Sequence, residues 1–226
     1  MRKLLLTAFS VLLVSSLMAQ LPNIGIRIGL TTSKLSTNIS ENFASDNQLG
    51  YQGGAFVRVN LGKFYVQPEL IYNHRSTKLE YDVYPVVDGE TQTVGARTDM
   101  KIGTFDLPIL AGFKIIDSKL LNLRIFAGPE ISFATNKSLS YTYTTDNGED
   151  FNGEVPEDSK LSIDDFNNVT WYVQAGAGVD FLFLTFDIRY EKGLNEMFNG
   201  NVNLDGVKNL DLKNNVWVFT LGFKFI

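Results

Sequence analysis

From Ile24 onward the chain alternates apolar and polar side chains with a period of two, the signature of strands that turn one face to an apolar phase. The first such segment sets Ile24, Ile26, Ile28 and Leu30 against Gly25, Arg27, Gly29 and Thr31. Seven more follow, at about 51–60, 64–73, 100–115, 121–130, 171–180, 184–191 and 217–225. No segment past Gln20 shows a sustained 3.6-residue period or an apolar run long enough for a membrane helix, so the fold class is all-β.

Spacing carries more information than the segments. The connections at about 32–49, 74–98, 134–168 and 193–214 are long, whereas 61–63, 116–119 and 181–183 are short. Long and short strictly alternate. That pattern predicts an eight-stranded antiparallel transmembrane β-barrel, with four long outer loops, three short periplasmic turns and both termini in the periplasm. Strand lengths agree, because a tilted membrane strand needs about 9–11 residues.

The N-terminus supplies the address. Arg2 and Lys3 precede an uncharged run from Leu4 to Met18, and Ala19 is followed by Gln20. This reads as a signal peptide over residues 1–19, leaving 20–226 as the exported barrel. Cleavage would take the formal net charge from −5 to −7. With no cysteine, the chain can contain neither a disulfide nor a thiolate metal site. A negative charge without any Lys/Arg cluster excludes nucleic acid as the expected partner.

The polar face holds cations Arg27, Arg58, Lys114, Arg124, Arg189 and Lys224 and, in equal number, acids Glu69, Asp106, Glu130, Asp180, Asp187 and Glu191. Balanced charge interleaved with glycine suits a narrow closed interior, where buried charges must be paired. Eight strands leave room only for side chains, so the network is expected to plug the barrel. On the apolar face, Tyr51, Tyr72, Trp171, Tyr190 and Trp217 fall at the outer strand ends, and Phe64, Phe181, Phe183, Phe223 and Phe225 at the inner ends. These are the expected aromatic girdles. Pro68, Pro108 and Pro129 lie within predicted strands and imply bulges or local loss of pairing.

The segments Val66-Gln67-Pro68-Glu69-Leu70-Ile71-Tyr72, Phe105-Asp106-Leu107-Pro108-Ile109-Leu110 and Phe126-Ala127-Gly128-Pro129-Glu130 resemble those of the PorT-like small outer-membrane β-barrels of Bacteroidetes. The ending Leu221-Gly222-Phe223-Lys224-Phe225-Ile226 does too, and it is similar to the C-terminal signal read by the barrel-assembly machinery, with Ile226 as a departure. The resemblance implies an eight-stranded barrel in the outer membrane. The family's naming member takes part in protein secretion, a role no residue here marks.

Two further clusters bear on chemistry. His74 and Ser76 sit at an outer strand end, where a lipid hydrolase would need a base within reach of its serine; the expected reading is a solvated rim histidine. Residues 134–168 hold Asp146, Glu149, Asp150, Glu154, Glu157, Asp158, Asp164 and Asp165 against Lys137 and Lys160. Their spacing lacks an EF-hand pattern, so a solvated surface loop is expected rather than a Ca²⁺ or Mg²⁺ site. No metal or cofactor is expected. The chain is read as a monomeric, non-enzymatic scaffold, structural or adhesive, in contact with outer-membrane lipid and lipopolysaccharide and with envelope proteins through acidic loops. The alternatives are an accessory part of a secretion machine, a lipid-modifying enzyme of the outer leaflet, and a soluble lipocalin-like carrier.

Overall fold

The computed structural model describes residues 22–37, 44–46, 48–87, 90–145, 148–151, 153, 163, 166–195 and 212–225. The signal peptide expected over residues 1–19 lies outside them. Eight long strands form the wall: β1 (Asn23–Thr37), β2 (Gln48–Leu61), β3 (Phe64–Val83), β4 (Val94–Asp117), β5 (Leu121–Thr145), β6 (Val169–Phe181), β7 (Leu184–Gly193) and β8 (Leu212–Lys224). Each pairs antiparallel with its sequence neighbours, and β8 pairs with β1, so the sheet closes without an edge. Short pieces add to this ring: Ala44–Asp46 pairs with the outer part of β3, and Val86–Val87 pairs with Glu90–Thr91.

Closure explains the inverted pattern of burial. On β1, Ile24, Ile26, Ile28 and Leu30 are exposed while Gly25, Arg27 and Thr31 are buried. On β7, Phe186, Ile188 and Tyr190 point out and Thr185, Asp187, Arg189 and Glu191 point in. Apolar side chains face outward around the ring, and the core of the molecule is ionic.

Two of the predicted loops, 74–98 and 134–168, are much shorter than their spacing suggested, because strands run on. Residues 74–83 continue β3, 94–98 belong to β4, and 134–145 continue β5. The wall therefore extends outward as a sheet of β3, β4 and β5 beyond its last pairing with β6, at Phe133–Val169.

Along that extension both faces change character. On β4, Phe105, Leu107, Ile109 and Ala111 face out, but past Gly103 the outward positions are Lys101, Asp99 and Arg97. The inward positions reverse in the opposite sense, from Asp106 and Thr104 to buried Ile102, Met100, Ala96 and Val94, with Thr98 as the one polar residue among them. On β3 the outward switch falls between Tyr72 and His74, which pair with Phe105 and Gly103. The two switches are level across the sheet. β5 joins them through a bulge opposite Gly103/Thr104, where Thr135 is the extra residue. The bulge shifts parity by one, so that Leu139, Tyr141 and Tyr143 face inward and Ser138, Ser140 and Thr142 face out.

The prolines cause local loss of pairing rather than bulges. The β2–β3 ladder skips Val57–Arg58 against Gln67–Pro68, then resumes in the same register. The β3–β4 ladder skips Glu69–Leu70 against Leu107–Pro108, and β4–β5 skips Ile109–Leu110 against Gly128–Pro129. Proline has no N–H to donate, so each interruption holds one.

Candidate functional site: the lumen and its outer extension

The inward side chains form one connected network. Near the periplasmic end, Arg124 donates to Asp180 (3.0 Å), to Asp187 and Thr185, and to the Tyr65 hydroxyl (3.2 Å). Arg58 bonds Asp180 at 2.6 Å and also Gln67, and Lys224 reaches Asp180 at 3.3 Å. In the middle, Arg27 and Arg189 both bond Glu69 and Asp187. At the outer end a single Nη2 of Arg75 meets Asp106 (3.1 Å), Glu130 (3.5 Å) and Glu191 (3.0 Å), and Gln174 ties Glu130 to Arg189. Ser132 donates to Asp106 from the opposite side.

Four inward aromatic rings lie among the guanidinium groups. Arg27 and Arg58 stand over Phe56, Arg58 and Arg124 over Tyr65, Arg124 and Arg189 over Phe126, and Arg75 over Tyr172, at 4.8–5.9 Å. Three of these rings pair directly with a cross-strand glycine: Phe56 with Gly25, Tyr65 with Gly112 and Phe126 with Gly176. A methyl group on any of the three glycines would collide with the ring, so the missing side chain is the space the ring fills.

Of the lumen residues predicted from sequence, Arg27, Arg58, Glu69, Asp106, Arg124, Glu130, Asp180, Asp187, Arg189 and Glu191 are buried in this network, and Lys224 closes it at the rim. Lys114 is a correction. It lies where β4 slips register against β5, at the periplasmic rim, and pairs with Asp117 at 3.4 Å rather than with any lumen acid. Its place among the cations is taken by Arg75, which sequence analysis missed because it ended the third strand at Asn73. Charge balance is kept but unevenly: the outer cluster has three carboxylates on one arginine, while the inner lumen has cations in excess. With Arg58, Arg124 and Arg189 at most 2% exposed, the lumen is packed with side chains rather than open.

The outward aromatics occupy two levels. Tyr72 meets Phe105 edge-on at 5.3 Å, and Tyr190 meets Trp217 at 5.1 Å; Tyr51 and Trp171 are exposed at the same outer ends. At the inner end Phe64 contacts Phe113 (5.0 Å), Phe183 contacts Phe223 (5.0 Å), Phe223 contacts Phe225 (5.4 Å), and Phe181 is exposed. His74 stacks on Tyr51 at 5.0 Å, and among the described residues no hydrogen bond joins it to Ser76 or to an acid. Of the acidic segment, Glu149 and Asp150 fold back on the end of β5, where Thr145 N–H donates to the Glu149 carbonyl. Asp146, Glu154, Glu157, Asp158, Asp164, Asp165 and Lys160 lie outside the described residues. No group of three or more His, Asp or Glu is placed to hold a metal among the described residues.

A closed antiparallel barrel with an apolar exterior and an ion-paired interior is the architecture of a transmembrane β-barrel, since in water the two faces would be exchanged. The chain belongs to the outer membrane protein beta-barrel domain family, whose model matches residues 18–199, and it resides in the outer membrane. No curated protein matches it in sequence. Among solved structures it is similar to OprG of Pseudomonas aeruginosa, at 13% identity and TM-score 0.47 over 90% of this chain and 95% of that one. It is also similar to Ail of Yersinia pestis, at 15% identity and TM-score 0.42 over 91% and 100%. Neisserial surface protein A matches at 10% identity and TM-score 0.41 over 91% and 100%.

Proposed function

We propose that the chain is a non-enzymatic, non-conducting scaffold whose β3–β4–β5 extension displays a polar sheet outside the membrane, where it contacts envelope components. The observation that carries this reading is the level reversal of polarity at Tyr72/His74 and Phe105/Gly103. Below it the outer face suits lipid; above it the face has Lys78 opposite Asp99 and Glu80 opposite Arg97, paired as in a soluble sheet. The ion-paired lumen supports a plug rather than a channel. The outer aromatics would sit at the lipopolysaccharide interface, and the β8 strand with Gly222, Phe223 and Phe225 would be read by the barrel-assembly machinery. The PorT-like assignment is the finer form of the same reading.

Ser140→Cys, labelled on intact cells with a membrane-impermeant maleimide, tests the display. Labelling there, none at Ser118→Cys, and no conductance steps in a planar bilayer are the expected results. An unlabelled Ser140→Cys overturns the reading. Deletion of the gene should leave the secreted protein set unchanged; a lost set would favour the secretion role instead.

A further inference from the structure

We propose that one side of the periplasmic rim is seated in the inner leaflet of the outer membrane, with phospholipid as its binding partner. The β6–β7 turn reads Phe181-Leu182-Phe183-Leu184, four apolar residues at a chain reversal. Leu182 adopts φ 54°, a left-handed conformation that is strained for an L-residue and that bulky side chains avoid. The β2–β3 turn meets the same backbone demand with Gly62 at φ 63°, followed by Lys63. The two turns thus differ in what they present, not in their backbone. Where strain is kept at a residue that glycine would relieve, the side chain is the feature to explain.

That side chain does not stand alone. The Leu182 N–H donates to the Leu120 carbonyl at 3.0 Å, tying the tips of the β4–β5 and β6–β7 turns together. Leu120 (61%), Leu182 (48%) and Phe183 (50%) are exposed, and Phe183 continues through Phe223 and Phe225 into the lipid-facing wall. The patch is therefore an extension of the surface that already meets lipid, which names its occupant. Lys119 beside Leu120 can lay its stem along the patch and hold its ammonium at the headgroup level. On the opposite flank Leu61 and Phe64 are exposed in the wall, but the turn tip between them is Gly62-Lys63, without an apolar side chain, and Asn60 beside it donates to Asn23 at 2.9 Å. One side of the barrel rests deeper than the other.

The chain has no cysteine, so single reporters can be placed cleanly. Leu182→Cys, Leu120→Cys and Lys63→Cys would each be labelled with a polarity-sensitive fluorophore and folded into phosphatidylethanolamine/phosphatidylglycerol vesicles, with folding checked by the heat-dependent mobility shift. With iodide on both sides of the bilayer, quenching at 182 and 120 should be several-fold weaker than at 63, and brominated acyl chains should reverse the order. Equal iodide access at all three positions overturns the proposal, as it would if the patch awaited a periplasmic protein. Leu182→Asn, which tolerates the left-handed backbone, separates lipid contact from folding. It should fold normally in detergent micelles but insert several-fold more slowly into vesicles; insertion at the parent rate overturns the proposal.

Discussion

Arg189 on β7 forms a two-pronged ion pair with Glu69 on β3, Nη1 to Oε2 and Nη2 to Oε1 both at 2.9 Å, across 120 residues of sequence and the full width of the lumen. Parallel bonds of this kind fix orientation as well as distance. Both groups are out of water, so each depends on the other to offset its desolvation.

Arg189→Ala should therefore destabilise the barrel by about 3–5 kcal/mol, because Glu69 would keep only part of its compensation. Lys114→Ala, at the rim, should cost at most about 1 kcal/mol. Urea unfolding in lipid vesicles, followed by tryptophan fluorescence, measures both. Similar values for the two variants would refute the closed network.

Gly112→Val should cost about 1–3 kcal/mol through the clash with Tyr65. Gly53→Ala, whose added methyl would lie 3.7 Å or more from its neighbours, should be tolerated. The temperature at which the unheated band disappears on electrophoresis distinguishes them.

The polarity switch places the outer lipid boundary between Phe105 and Gly103. Ile109→Arg should reduce folding stability by about 2–4 kcal/mol, while Ser138→Arg, beyond the boundary, should leave it unchanged. A penalty at 138 equal to that at 109 would move the boundary outward.

Thr135 is the extra residue of the β5 bulge, so deleting it lets Ala134 and Asn136 run on as a regular strand opposite Thr104 and Gly103. Leu139, Tyr141 and Tyr143 would still face inward and Ser138, Ser140 and Thr142 outward. The deletion variant should fold, and residues 136–145 should resist protease added to intact vesicles as well as they do in the parent. Rapid cleavage there would show that the bulge itself, and not the alternation of faces, holds the extension.

The eight strands and their faces were legible because a lipid-facing wall writes period-two alternation directly into the sequence. The reach of β3, β4 and β5 was not. Ser76, Lys78, Glu80 and Asp82 read as a loop when lipid is the assumed solvent, although they alternate as a water-facing strand does. Arg75 was lost with that boundary, and Lys114 was gained by extending correct parity past the rim. The glycine–ring pairs needed cross-strand register, which one sequence does not carry: Gly112 and Tyr65 are 47 positions apart. His74, read as the end of a strand, lies within β3 at the level of the polarity switch, and its ring contact with Tyr51 depends on the same register.

The three ladder interruptions fall on successive seams, β2–β3, β3–β4 and β4–β5, so one quadrant of the wall is short of backbone bonds. The side chains stitch that quadrant from within: Arg58 on β2 bonds Gln67 on β3 across the first gap, and Leu110 on β4 packs with Tyr65 on β3 and Phe126 on β5 across the other two seams. The lumen is thus a tie-rod as well as a stopper. Hydrogen exchange should begin in this quadrant and quicken there first when an interior arginine is removed, so that loosening the inside unzips the wall along its prolines.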